Sequence, residues 1–195
     1  FYRTKEHCSL HARSDDTKEL FIIAGRQFVT LEGLEVLSLA STNSFPERLP
    51  ITKLLSNVRD NGGKPVIPWG FGKWMGRRGK ILRELIEATE NGDFSLGDNS
   101  GRPSLLPTPY HFNLAQKKRI LILPGTDPLP FRSEQNRAGS FGLSLEVEID
   151  SGYPAQDMKE TIFSDNYNFY PYGSIEKNIR FILKQIRMQL RKRIR

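Results

Sequence analysis

Between Leu20 and Leu123 the chain alternates short apolar runs with segments of helical periodicity, and this alternation constrains the fold more than any other feature. Leu20 to Ala24 reads as a strand ending at Gly25. Further strands are predicted over Leu34 to Ala40, Lys64 to Trp69, Asp93 to Leu96 and Arg119 to Leu123. Leu143 to Ile149 alternates apolar and polar residues, as a strand with one wet face does. Pro50 to Arg59 places Ile51, Leu54, Leu55 and Val58 at helical spacing before the stop Asn61-Gly62-Gly63. Arg78 to Asn91 does the same with Ile81, Leu82, Leu85 and Ile86, and stops at Asn91-Gly92. Asn113 to Lys118 predicts a short helical turn. Residues 150–173, with Tyr167, Phe169, Tyr170 and Tyr172, read as an irregular packed connection. Strand–helix–strand order predicts parallel β/α units with the helices outside, in a single domain over residues 1–195.

Charge is distributed unevenly. The net charge is +7, and seven basic residues lie between Asn178 and Arg195 with no acid among them, so residues 1–177 are neutral overall. A broadly basic, nucleic-acid-coating body is therefore excluded. The basic character belongs to a helix expected to begin near Ser174, the N-cap, with Glu176 in its first turn. Its residues Ile179, Ile182, Leu183, Ile186 and Leu190 trace one apolar stripe. Docking of that stripe on the body is expected; binding of nucleic acid or an anionic membrane by the basic face is the alternative. No apolar run reaches the ~20 residues of a spanning helix. No secretory pattern opens the chain, and Cys8 is the only cysteine, so a cytoplasmic protein is expected. Because the sequence begins at Phe1, upstream residues are expected to be missing.

Ligands of open α/β sheets and β/α barrels bind beyond the carboxyl ends of parallel strands. Loops 70–79, 97–103 and 124–131 follow predicted strands and mix glycines with polar groups. The first carries Lys73, Arg77 and Arg78 and leads into a helix, where backbone N–H groups and fixed cations together suit an anion. It also reads as a solvated basic turn above Trp74. The other two loops carry Asp98 and Asp127 just past their strands. Two carboxylates converging there could bind a metal or serve as acid and base; alternatively each caps its own loop. Arg102 either clamps an anion or pairs with Asp98. His7, Cys8 and His11 have a spacing that would suit zinc on a helix, but nothing predicts a helix there. His111 reads as a structural or loop histidine.

The order of these pieces resembles the polymerase and histidinol phosphatase (PHP) family of metal-dependent phosphoesterases, over roughly residues 20–130. Ile23-Ala24-Gly25-Arg26-Gln27 resembles that family's strand ending in Gly-x-Glu, and Leu34-Glu35-Val36-Leu37 its next strand. Val66-Ile67-Pro68-Trp69 resembles its His-Pro strand end, and Gly125-Thr126-Asp127-Pro128-Leu129 its late Gly-Ser-Asp-Ala-His motif. The resemblance implies a distorted, TIM-like β/α barrel, here incomplete at its N-terminus and followed by the basic helix. It also implies a divalent metal (Zn, Mn or Mg) at Asp127 with Asp98 assisting. Asp127 is the one residue that matches a family ligand directly. The expected function is that of a diverged metal-dependent hydrolase acting on a small anionic ligand, such as a phosphorylated one, held by Lys73, Arg77, Arg78 and Arg102. The alternative is a non-catalytic binding or scaffold protein that kept the barrel and lost the metal.

Overall fold

A computed structural model of the chain describes residues 1–13, 18–89, 92–129, 131–162 and 169–175, with positions 182 and 186. Its centre is an open five-stranded sheet whose spatial order follows the sequence: β4 (Gly25–Val29), β5 (Glu35–Leu39), β6 (Lys64–Pro68), β7 (Ser95–Asn99) and β8 (Ile122–Gly125). The pairs β4–β5 and β5–β6 are antiparallel, while β6–β7 and β7–β8 are parallel. Two small antiparallel sheets flank it. One is built from β1 (Tyr2–Arg3), β2 (Ser9–Arg13) and β3 (Glu19–Ile23), the other from β9 (Phe141–Leu145) and β10 (Phe169–Gly173).

Three helices cover one face of the central sheet. They are α1 (Ile51–Asp60), α2 (Gly76–Ala88) and α3 (Tyr110–Lys117). Their apolar stripes, Ile51, Leu54, Leu55 and Val58, then Leu82 and Ile86, then Phe112 and Ala115, pack on Val36, Ile67 and Leu96 as one core. Strand alternation sends Leu37, Leu39, Val66 and Gly97 to the opposite face. There α4 (Pro154–Ile162) lies over part of the sheet, with Ala155, Met158 and Ile162 facing Leu39 and Leu123.

Among the described residues there is no closed barrel of the kind expected from the sequence; the sheet is mixed and open. A TIM-like β/α barrel needs parallel strands joined by crossovers, and two connections break that rule. From Val29 to Glu35 the chain has room only for a tight turn, closed by the Thr30 amide on the Leu34 carbonyl at 2.8 Å. After β5 the chain doubles back before α1 begins. The Leu31 amide donates to the Leu49 carbonyl at 2.9 Å, and the Ile51 amide donates to the Glu32 carboxylate at 3.1 and 3.2 Å. Pro50 offers no side-chain cap, so Glu32 serves as a remote one for α1. The helix therefore starts at the edge where β5 started, and β6 leaves it antiparallel to β5.

Other expectations moved by a few residues or failed. The strands predicted at Asp93, Arg119 and Leu143 start at Ser95, Ile122 and Phe141, and the turn of helix predicted from Asn113 is α3, which begins at Tyr110. The supposedly irregular stretch 150–173 contains α4 and β10. A second remote glutamate anchors α4: Glu6 accepts the amides of Ala155 and Gln156, the latter at 3.2 Å. The predicted C-terminal helix lies almost wholly outside the described residues; of its stripe, Ile182 and Ile186 are helical and exposed. Among the described residues no helix is long and apolar enough to cross a membrane.

Candidate functional site

Because β6, β7 and β8 are parallel neighbours, loops 70–79, 97–103 and 124–131 leave the sheet at one edge. The structure brings those loops together and then occupies most of their polar groups internally. The Lys73 ammonium pairs with the Glu35 carboxylate. Arg78 donates to the carbonyls of Gly72 (2.9 Å) and Gly33 (3.4 Å), bracing its loop against the β4–β5 turn. Arg77 stands exposed at the start of α2, whose first turn carries no acid. Arg102 grips Asp98 with two bonds, Nε to Oδ1 at 3.0 Å and Nη2 to Oδ2 at 2.9 Å. The Arg102 guanidinium also lies 5.9 Å from the centre of the Phe112 ring, on the helix side of the sheet.

Asp127 belongs to the other side. It has φ = +42°, a conformation unusual for a non-glycine residue. Its Oδ2 accepts the Asn99 amide at 3.1 Å, and the same amide nitrogen reaches the Trp69 carbonyl at 2.9 Å. Both partners are acceptors, which fixes the orientation of the Asn99 amide. Asn99 and Asp98 are consecutive on β7 and point to opposite faces, so the two carboxylates share an edge without converging. A metal would find Asp98 already saturated by a guanidinium and no imidazole beside Asp127. The residues present do not fit the metal centre that the resemblance implies. Among the described residues, no three His, Cys, Asp or Glu side chains gather closely enough to hold an ion.

The histidines have other surroundings. His111 Nε2 lies 2.9 Å from the Gly79 carbonyl, and its ring meets Trp74 edge-on at 5.5 Å. His11 stacks on Phe21 at 4.7 Å, within β2. Burial, and then the Glu6 carboxylate, push the Cys8 thiol up, away from the thiolate that a zinc ion would require.

The opposite edge holds a cleft of about 540 Å³ that no sequence motif marks. Arg59 from the last turn of α1, Lys64 from the start of β6, and Gln156, Lys159 and Glu160 from α4 line it, around the backbone of Gly62, Gly63 and Gly92. The helix stop read from the sequence builds its floor. Gly62 has φ = +73°, and its amide and that of Gly63 return to the Arg59 and Val58 carbonyls at 2.8 and 2.9 Å. Gly63 admits no side chain, since a Cβ there would lie 2.9 Å from Ser38 Oγ and 3.1 Å from Val58 Cγ1.

Charge in the cleft is unbalanced. Arg59 is held by Asp93 at 2.9 Å, and Glu160 accepts a bond from Gln156. Lys159 donates one proton to the Gly62 carbonyl at 3.1 Å, out of the three an ammonium carries. Burial, and then the nearby Lys159 charge, hold the Lys64 ammonium below its usual pKa. Sequence reasoning missed this cleft because α4, which brings Lys159, lies far along the chain from Arg59 and Lys64; the glycine pair at 62–63 was its only visible trace.

A scan against protein-family models finds no match to this chain, and comparison with curated protein sequences finds none.

Proposed function

We propose that the chain is a binding protein for small anions, taken up in the cleft of Arg59, Lys64 and Lys159. The observation that carries this reading is the meeting of three cationic side chains, from α1, β6 and α4, around a glycine floor. Backbone without side chains at that floor lets a ligand approach closely, and positioned cations stabilise it. The anionic ligand expected from the sequence is retained, but its cations are different ones. At the carboxyl edge Lys73, Arg78 and Arg102 are engaged within the protein, as Arg59 is by Asp93 in the cleft; what sets the cleft apart is that cations from three elements meet there around glycine backbone. Hydrolysis through a metal at Asp98 and Asp127 is not advanced, because the donor set there does not suit one.

Calorimetric titration with inorganic sulfate at low ionic strength tests the reading. Lys64→Gln and Lys159→Gln should each weaken binding about tenfold, the low end of a hydrogen bond to a charged group. Added sodium chloride should weaken it further. Arg77→Ala should leave it unchanged. Loss of sulfate binding in Arg77→Ala, with both lysine variants unaffected, would return the site to the carboxyl edge.

A further inference from the structure

Residues 178–195 carry a charge and a pattern that the cleft does not use. Seven Lys and Arg residues lie there with no acid among them, while residues 1–177 are neutral overall. In the same segment Ile179, Ile182, Leu183, Ile186 and Leu190 recur at helical spacing and share one face. Arg180, Lys184, Arg187 and Arg191 follow one another at spacings of four, three and four, beside that stripe. Ile182 and Ile186 are helical in the structure and 56% and 51% exposed. The docking on the body expected from the sequence is therefore not realised at these two positions.

We infer that this segment attaches the chain to an anionic lipid surface, with the aliphatic stripe entering the acyl boundary and the basic side lying among the headgroups. The inference is independent of the anion-binding reading and draws on none of the cleft's cations. An aliphatic stripe needs apolar surroundings and a row of unopposed cations needs anions; a charged lipid interface offers both side by side. Nucleic acid would satisfy the cations and leave the isoleucines in water. A second copy would cover the stripe, but it would set two segments of like charge together with no acid in either to pair across. The segment lies along the interface and does not cross it, because a spanning helix needs ~20 predominantly apolar residues and basic groups recur here in every turn.

Co-sedimentation of the full chain with vesicles tests the inference, using phosphatidylcholine alone and phosphatidylcholine with phosphatidylserine in equal parts, and with duplex DNA as a separate probe. The chain should bind the mixed vesicles and not the neutral ones, and added salt should weaken the binding. Arg187→Gln/Arg191→Gln should weaken it roughly 25-fold, at about fivefold for each cation near an anionic surface. Ile182→Ser/Ile186→Ser should weaken it about a hundredfold, at about tenfold for each aliphatic side chain withdrawn from the acyl boundary. Without vesicles, the isoleucine variant should melt with the parent in circular dichroism. Absence of binding to the mixed vesicles, equal binding to both kinds, or undiminished binding by the isoleucine variant would overturn the inference. A lower melting temperature in that variant would assign the stripe to the body, and a parent dimer that the variant dissociates would assign it to a second copy. DNA binding without vesicle binding would assign the basic side to nucleic acid. Each of these three results also refutes the lipid surface.

Discussion

Asp98→Asn removes one charge from an ion pair that is nearly closed to water. The side chains of Asp98 and Arg102 are only 15% and 11% exposed, and both guanidinium bonds are short and parallel. Breaking a buried pair by neutralising one partner costs about 3–5 kcal/mol, chiefly because the other charge stays buried and uncompensated. Asparagine keeps one acceptor oxygen and the site is not fully sealed, so a loss of about 2–3 kcal/mol is expected. At this chain length that corresponds to a melting temperature lower by roughly 5–10 °C, at about 2–4 °C per kcal/mol. Urea and thermal unfolding followed by circular dichroism would measure it. The companion variant Asp98→Asn/Arg102→Met removes the stranded charge and places an apolar side chain over Phe112. It should recover at least half of the loss, because a buried pair replaced by packed apolar groups is often neutral. The reasoning fails if Asp98→Asn lies within about 0.5 kcal/mol of the parent, the range of ordinary surface substitutions. It fails equally if the double variant is no more stable than the single one.

Three further outcomes are expected. Ser38→Ala should stabilise the protein by about 1 kcal/mol in urea unfolding, because the Ser38 hydroxyl is fully buried without a hydrogen-bond partner among the described residues. Glu32→Ala should cost about 1 kcal/mol, the value of a lost helix cap, and should raise amide exchange in the first turn of α1 above that in α2. Lys64→Gln should stabilise the free protein at neutral pH. Its folded pKa lies below the ordinary 10.5, so the unfolded chain holds more protons between those two values and stability rises with pH there. The gain from the substitution should therefore shrink as pH climbs through that window, and a gain independent of pH would remove the Lys64 charge as its cause.

Elements whose pattern is carried by their own residues were legible in the sequence. The stripes of α1 and α2 and the runs of β3, β5 and β6 follow from local periodicity, and the stop at Asn61-Gly62-Gly63 from turn chemistry. The strand β4 was not legible: it lies at the sheet edge, and most of Gly25, Arg26, Gln27 and Val29 faces water, so no alternation is imposed on it. Nor was α4, which opens on a proline and takes its cap from Glu6, far away in the chain. The reversal between β5 and β6 turns on Glu32 reaching Ile51, a contact that no local propensity encodes. At the carboxyl edge the sequence gives two readings of Arg102, and the structure realises the pairing with Asp98. Convergence of Asp98 and Asp127 was misjudged because the side-chain period of two on β7 separates them, and loop position alone does not express that.

The sequential order of the central sheet has a consequence for synthesis on the ribosome. Each strand from β5 to β8 pairs with the one made just before it, so the sheet and its helical cover can grow in the order of translation. The cleft does wait, because Arg59 and Lys64 are in place well before Lys159 emerges on α4, and α4 must then find Glu6 at the far end of the chain. A nascent chain halted after β8 would thus carry a nearly finished scaffold with Arg59 and Lys64 but without Lys159, so the anion proposed above, if it needs both lysines, would recognise only completed molecules.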